Sequence, residues 1–326
     1  MGAGSWGTAL ALQFARSGRQ VRLWGRDAGQ METMAKARMN TRYLPGVGFS
    51  DNLEACTDLG QSVAGARDVL LAVPSHALRE TLTALRPVLA PDTRVCWASK
   101  GFELTTGKLP HQVAREVLGA DRPMAVLSGP TFAREVGAGL PTAMTVAAND
   151  AGFAEALARS LSGDNFRAYT TDDIIGVEVG GAVKNVLAIG AGMSDGLGFG
   201  ANARIALITR GLVEMTRLGV ALGARKETFM GLAGMGDLVL TCTDDQSRNR
   251  RMGLALAGGK TVEEAAAEIR QVVEGVKAAK AVHDVAGTLG IEMPICHQVY
   301  RILYEGVAPR EAVGTLMRRQ IGPEHG

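Results

Sequence analysis

The sequence predicts an α/β domain followed by an all-helical one, and three observations carry that prediction. Strand and helix patterns alternate through the first half, as repeated βαβ units require. Near residue 171 the strand patterns stop and helical periodicity takes over. A glycine-rich turn, Gly2-Ala3-Gly4-Ser5-Trp6-Gly7, opens the chain directly before a helical pattern. The expected division is 1–171 and 172–326, and 326 residues suffice for two cores.

Taken in order, the opening turn reads GxGxxG. A helix follows through Leu10, Leu12 and Phe14 to about Arg16, ended by Gly18, and Val21–Trp24 reads as a strand. This is the order of a Rossmann-type dinucleotide-binding unit. Gly2, Gly4 and Gly7 let backbone close on a pyrophosphate, and the helix start at Ser5 and Trp6 offers unpaired N–H groups to it. Such a motif should follow a β-strand, yet only Met1 precedes it. The first strand is therefore expected to be missing, through a clipped or misassigned start, at some loss of cofactor affinity. Cofactor choice falls to Gly25-Arg26-Asp27 after the second strand. Arg26 suits the 2′-phosphate of NADP or a stack on adenine, Asp27 keeps the ribose hydroxyl of NAD in play, and a solvated turn is the plain alternative. The expectation is NADPH preferred, with NADH accepted.

Further α/β units follow. Residues 28–38 read as a helix and 43–46 as a loop; 68–73 read as a buried strand, 77–85 as a helix and 94–98 as a strand. Lys100 stands just beyond that last strand's carboxyl end, the ligand side of a parallel sheet. Residues 124–127 form a strand running into Ser128-Gly129-Pro130-Thr131-Phe132-Ala133, a tight turn into a short helix suited to backbone contacts with a ligand. Strands over 142–147 and 166–170 flank a helix over 152–161.

In the second half, Glu178–Leu207 contains a single lysine, Lys184, beside Asn185 in an apolar run that should be buried. Burial disfavours an ammonium, which makes Lys184 a candidate proton donor and acceptor near neutral pH. The alternative is a lysine snorkelling out beside a core helix. Residues 203–218 continue helical. Gly231-Leu232-Ala233-Gly234-Met235-Gly236-Asp237 reads as a flexible glycine-rich loop, in which Asp237 could orient Lys184 or accept a substrate hydroxyl. Ser247, Arg248 and Asn249 open a helix and suit a phosphate, through N–H groups and a bidentate guanidinium; a solvated basic turn is the alternative. Thr261–Glu264 is a capping box. Residues 271–275 interrupt the helices and place Glu274 to face a cofactor. Helices from about Val276, Pro294 and Pro309 follow, with a frayed tail expected over 322–326.

A net charge of +2 gives no basic footprint for nucleic acid. The apolar runs read as too short and interrupted for a membrane span, and the start lacks the basic and apolar regions of a signal peptide. Cys56, Cys96, Cys242 and Cys296 are scattered, as reduced thiols of a cytoplasmic protein would be, and no metal-ligand spacing occurs.

Together these segments resemble the bacterial-type NAD(P)-dependent sn-glycerol-3-phosphate dehydrogenases. The resemblance covers nearly the whole chain. It is carried by GAGSWGTALA, SKG at Lys100, SGPTFA from Ser128, the long GGAVKNVLAIGAGMSDGLGFGANARIALITRG, GLAGMGDLVLTCT, SRNRR and QVVEG. It implies reversible hydride transfer between NAD(P)H and dihydroxyacetone phosphate, giving sn-glycerol 3-phosphate for phospholipid synthesis, with Lys184 as general acid/base. Ser5, Trp6, Arg26, Ala133, Val272 and Glu274 would contact the cofactor, and Lys100 and Arg248 both cofactor and substrate. Gly129, Thr131, Asp237, Ser247 and Asn249 would hold the substrate beside Lys184. The resemblance also implies a cytoplasmic homodimer without a metal. Two rival readings remain at this stage. One is a β-hydroxyacid dehydrogenase, in which lysine and asparagine would lie a helical turn apart. The other is a dinucleotide-sensing protein that does not turn over.

Overall fold

The computed structural model describes residues 1–318 and Gln320, so the tail expected over 322–326 lies outside the described residues. The chain divides into two compact units. The first comprises Met1–Lys100 and Pro110–Ile174; the second takes Gly101–Leu109 and the chain from Ile175 onward.

The first unit alternates strands and helices. Its strands are β1 (Val21–Trp24), β2 (Leu53–Cys56), β3 (Asp68–Leu71), β4 (Arg94–Trp97), β5 (Met124–Ser128), β6 (Thr142–Ala148) and β7 (Phe166–Thr171). Its helices are α1 (Ser5–Arg16), α2 (Ala28–Ala37), α3 (Leu59–Val63), α4 (Leu78–Leu85), α5 (Pro110–Leu118), α6 (Ala133–Ala138) and α7 (Ala151–Leu161). β2 and α5 carry no clear sequence signal and were not anticipated. The strands form a two-stranded parallel group, β1-β2, and a five-stranded group in the order β3-β4-β5-β6-β7. Among the described residues no strand precedes the glycine turn. Met1 and Gly2 alone stand between the two groups: Gly2 N donates to Trp24 O at 2.8 Å, the Met1 amine to Leu70 O at 2.8 Å, and Ala72 N to Met1 O at 2.8 Å. The pairing is parallel throughout except that β5 and β6 pair antiparallel. The link between them, residues 129–141, consists of a turn and the six-residue α6. Leu10, Met31, Leu53, Leu127, Phe153 and Leu161 are among the fully buried side chains of this unit's core.

The second unit is helical: α8 (Ile174–Gly196), α9 (Gly200–Ala221), α10 (Asp237–Thr243), α11 (Arg248–Ala257), α12 (Val262–Ile269), α13 (Glu274–Leu289), α14 (Pro294–Tyr304) and α15 (Pro309–Met317). Its core gathers around α8, whose Val179, Val183, Val186 and Leu187 are wholly buried. Phe102 and Leu109, from the excursion Gly101–Leu109, belong to the same core. The helix α8 is in fact long and apolar enough to cross a membrane, contrary to the expectation that no run is. Its apolar window is 94% buried inside the protein, which is the position of a core helix. Thr261 and Glu264 form the expected capping box at α12.

The glycine-rich stretch from Gly231 is also corrected: it is not a flexible loop. Leu232–Gly236 make a π-helical turn that runs straight into α10, with Ala233 and Gly234 buried. The glycines serve close packing here. A Cβ on Gly234 would lie 2.2 Å from Phe229 O, and one on Gly180 of α8 would lie 2.4 Å from Ala233 O.

Candidate active site

In the first unit the glycine turn has three distinct environments. Gly2 has φ +99°, and a Cβ there would strike Ala72 O at 2.6 Å. A Cβ on Gly7 would meet Gly2 O at 1.8 Å, so the helix seats against its own entry turn. Gly4, the N-cap of α1, has nothing within 4 Å of such a Cβ and no side-chain cap. These are the roles a dinucleotide site needs: a tight turn, an open face where a pyrophosphate approaches the backbone, and close packing behind it. The first N–H groups of α1, at Ser5, Trp6 and Gly7, point along a helix start with no intrahelical acceptor. The residues present therefore fit a dinucleotide. Past β1, Arg26 is exposed with no hydrogen-bond or ion-pair partner among the described residues. Asp27 is engaged as N-cap of α2, its Oδ1 accepting from Gln30 N at 3.0 Å.

Lys100 is half-buried after β4. Gly129 follows β5 at φ +157°, where a Cβ would lie 2.9 Å from Met144 Cα. Thr131 Oγ1 donates to Gly129 O at 3.2 Å, folding the turn on itself ahead of Ala133, the first residue of α6.

In the second unit, α8 carries Lys184 at 6% exposure and Asn185 at 3%. Lys184 Nζ donates to Asp237 Oδ1 and, at 3.0 Å, to Thr241 Oγ1. Asp237 has no exposure at all. A charge pair this dry holds its geometry strongly, because removing either partner leaves the other unpaired in low dielectric. Thr241 in turn donates to Asp237 O at 2.5 Å, one helical turn back along α10. It was missed in the sequence, although its spacing of four from Asp237 places both on one face of a helix. The neighbouring Cys242 thiol is pushed up to about 12 by burial, against the pull of the Lys184 and Arg250 charges.

Ser247 is the N-cap of α11, its Oγ accepting from Arg250 N at 3.2 Å. Asn249 is a cross-brace as well as a first-turn residue. Its Nδ2 donates to Asn185 Oδ1 at 2.9 Å, and its Oδ1 accepts from Gly275 N at 2.8 Å. The helix of the lysine, the helix of the serine–arginine–asparagine segment and the start of α13 are thus tied together by one amide. Arg248 is half-buried and has no hydrogen-bond or ion-pair partner among the described residues. Glu274 is the first residue of α13 and partly buried, while Val272 just before it is 50% exposed. Among the described residues no group of three His, Cys, Asp or Glu is placed to hold a metal ion.

A glycine turn built for a pyrophosphate, with a helical unit holding one buried, carboxylate-paired lysine, defines a nicotinamide-dinucleotide-dependent oxidoreductase. Comparison with known proteins narrows the class. Residues 1–154 match the N-terminus of NAD-dependent glycerol-3-phosphate dehydrogenase and residues 173–314 its C-terminus. The chain is 57% identical to the glycerol-3-phosphate dehydrogenase [NAD(P)+] of Aeromonas hydrophila over 98% of this chain and 96% of that one. It is also 57% identical to that of Methylococcus capsulatus, over 99% and 97%. The crystal structure of the glycerol-3-phosphate dehydrogenase of Coxiella burnetii superposes with a TM-score of 0.94 at 50% identity, covering 98% of this chain and 97% of that one. The chain belongs to the NAD-dependent glycerol-3-phosphate dehydrogenase family.

Proposed function

We propose that this protein interconverts dihydroxyacetone phosphate and sn-glycerol 3-phosphate, with NADPH preferred and NADH accepted. The observation that carries the reading is the buried cluster of Lys184, Asp237 and Thr241. The dinucleotide, when bound at the Gly2–Gly7 turn, supplies or takes up the hydride. Lys184 gives a proton to the C2 carbonyl oxygen in reduction and takes it from the C2 hydroxyl in oxidation. Asp237 and Thr241 hold the ammonium in place, so that it is oriented before substrate arrives. An ammonium at this position also stabilises the alkoxide that develops at C2. Lys100, Gly129, Thr131, Ser247, Arg248 and Asn249 take the substrate in this reading. Arg248, without a hydrogen-bond or ion-pair partner among the described residues, is the cation reserved for the phosphate. Ser5, Trp6, Ala133, Val272 and Glu274 contact the cofactor in the same reading. The NADPH preference rests on Arg26, which has no partner among the described residues, and on Asp27, whose carboxylate already caps α2. The family resemblance supports a cytoplasmic homodimer that supplies the glycerol phosphate of phospholipids.

The deciding experiment follows NADPH and NADH oxidation with dihydroxyacetone phosphate in wild type and Lys184→Ala. The expected loss is about 10²–10⁴-fold in kcat, with cofactor affinity nearly kept. Unchanged turnover would remove Lys184 from the chemistry. Equal use of unphosphorylated dihydroxyacetone would favour a β-hydroxyacid dehydrogenase, and cofactor binding without any turnover would favour a sensing protein.

A further inference from the structure

The segment assigned above to the phosphate is held by an ionic lock, largely buried at Arg250 and Asp195 and exposed at Asp245, that takes no part in the proposed chemistry. Arg250 is only 8% exposed and is turned away from solvent. Its Nη1 donates to Asp195 Oδ2 at the end of α8, its Nε to Asp245 Oδ1 at 2.9 Å, and Nη1 again to Cys242 O at 3.4 Å. Asp195 Oδ2 also accepts from Arg204 Nη1 of α9 at 2.8 Å. Burial draws the Arg250 pKa down, but the hydrogen bonds and charges of Asp195 and Asp245 outweigh it and hold it above its ordinary value. The backbones behind this lock touch. A Cβ on Gly192 of α8 would lie 2.0 Å from Arg250 O, and one on Gly253 of α11 would lie 2.0 Å from Ile189 O.

We propose that Arg250 and Asp195 are a positioning pair for the dehydrogenase reaction, fixing the first turn of α11 against α8 so that Arg248 meets the substrate phosphate. The inference rests on the reading that Ser247–Asn249 receive that phosphate. Two physical effects act together. The guanidinium fork sets the rotation of α11, whose first turn otherwise depends on the Ser247 cap and the Asn249 brace. Together with Arg204 it also offsets the charge of Asp195 and Asp245, which would otherwise repel a phosphate dianion. Arg250 is assigned a positioning role because its Nη1 and Nε are engaged by Asp195, Asp245 and Cys242 O.

The test is steady-state kinetics of Arg250→Met and Arg250→Lys, alone and in an Arg248→Ala background, with dihydroxyacetone phosphate and with unphosphorylated dihydroxyacetone. Arg250→Met is expected to raise KM for the phosphorylated substrate about 10-fold or more, the scale of a truncated buried charge pair. The kcat should stay within about 3-fold, and kcat/KM for unphosphorylated dihydroxyacetone should hold, because only phosphate binding is lost. Arg250→Lys keeps the charge without the fork and should fall between. In Arg248→Ala the further effect of Arg250→Met should shrink to under about 2-fold, since both act on one contact. A folded Arg250→Met enzyme with unchanged KM, or one that loses both substrates equally, overturns the proposal. If Arg250→Met does not fold, Arg250→Lys decides: a KM raised several-fold supports the pair, an unchanged one overturns it. Arg248→Ala separates the two levels of the reading. If it alone leaves KM unchanged, the phosphate-site assignment fails and this inference falls with it.

Discussion

Gly180→Ala is a substitution for which helix propensity and packing give opposite answers. Gly180 lies within α8, where alanine is intrinsically better by about 1 kcal/mol. The added methyl would sit 2.4 Å from Ala233 O and 3.3 Å from Ala233 C. Both are backbone atoms, so no side chain can swing away. Restoring an ordinary contact of roughly 3.4 Å requires a displacement of roughly 1 Å, and overpacking of this kind costs about 1–3 kcal/mol. The net expectation is a loss of stability of about 0–2 kcal/mol rather than a gain. The larger effect is on turnover. Ala233 belongs to the π-helical turn leading into α10, four residues before Asp237, so a shift there moves the carboxylate that holds Lys184. A misplacement of about 1 Å costs about 100-fold in rate. Gly287→Ala on α13 is the control, because its Cβ would meet nothing within 4 Å; it should stabilise by up to about 1 kcal/mol with full activity. Denaturant melts and kcat on both variants decide the matter. A Gly180→Ala enzyme that is more stable and fully active would refute the reasoning that glycine is there for the approach of the turn.

Arg26→Ala should lower kcat/KM for NADPH about 10-fold or more and leave NADH nearly untouched, read as the ratio of the two initial rates; a constant ratio removes Arg26 from 2′-phosphate recognition. Glu214, 5% exposed, accepts from Ile295 N at 2.7 Å and Cys296 N at 3.1 Å, capping α14 across the helical unit. Glu214→Ala strands both donors and should cost about 2–5 kcal/mol in denaturant melts. Burial raises the Glu214 pKa above its ordinary 4.5 even against those two hydrogen bonds. Its favourable contribution is therefore complete below pH 4.5 and is lost as pH rises through the folded-state value. The stability of Glu214→Gln relative to wild type should accordingly improve as pH rises above 4.5, and an opposite slope would show the carboxylate to be favoured there. Of the four thiols only Cys56 is not buried, and burial pushes Cys96, Cys242 and Cys296 up. Iodoacetamide at pH 8 should label Cys56 alone in the native protein and all four after denaturation, as mass spectrometry would show.

The parts of the fold that were legible in the sequence are those fixed by local physics. The glycine turn, α1 and β1 follow one another within 24 residues, and period and punctuation suffice to read them. The burial of α8 follows from an apolar composition on every side. What was not legible depends on partners far along the chain. The antiparallel pairing of β6 with β5 is not written in any pattern within the strand. The stretch from Gly231 has the composition of a flexible loop, and only the backbone of Phe229 and the face of α8 at Gly180 turn it into packed helix. Among candidate site residues, Lys184 stands out as a lone lysine among apolar neighbours. Thr241 and Arg250 do not, because a threonine in a helix and an arginine in a basic turn are commonplace until their partners are known. Asn249 shows a subtler limit, in that its residue type suggested a ligand contact while its amide is also engaged in bracing Asn185 and Gly275.

The nine residues Gly101–Leu109 leave the α/β unit between β4 and α5 and contribute Phe102, 1% exposed, and Leu109, 2% exposed, to the core of the helical unit. The helical unit is therefore not a contiguous piece of chain. During synthesis Phe102 emerges more than seventy residues before α8, and its apolar surface stays wet until the helices that cover it have been made. A fragment beginning at Ile175 would lack both side chains and carry a cavity where a phenylalanine belongs, a defect that typically costs about 3–5 kcal/mol. A gene for the helical half alone should give poorly soluble protein, and supplying residues 95–115 as a separate peptide should rescue it. The boundary that proteolysis or expression trials would seek near residue 174 is thus a boundary in space but not in biogenesis.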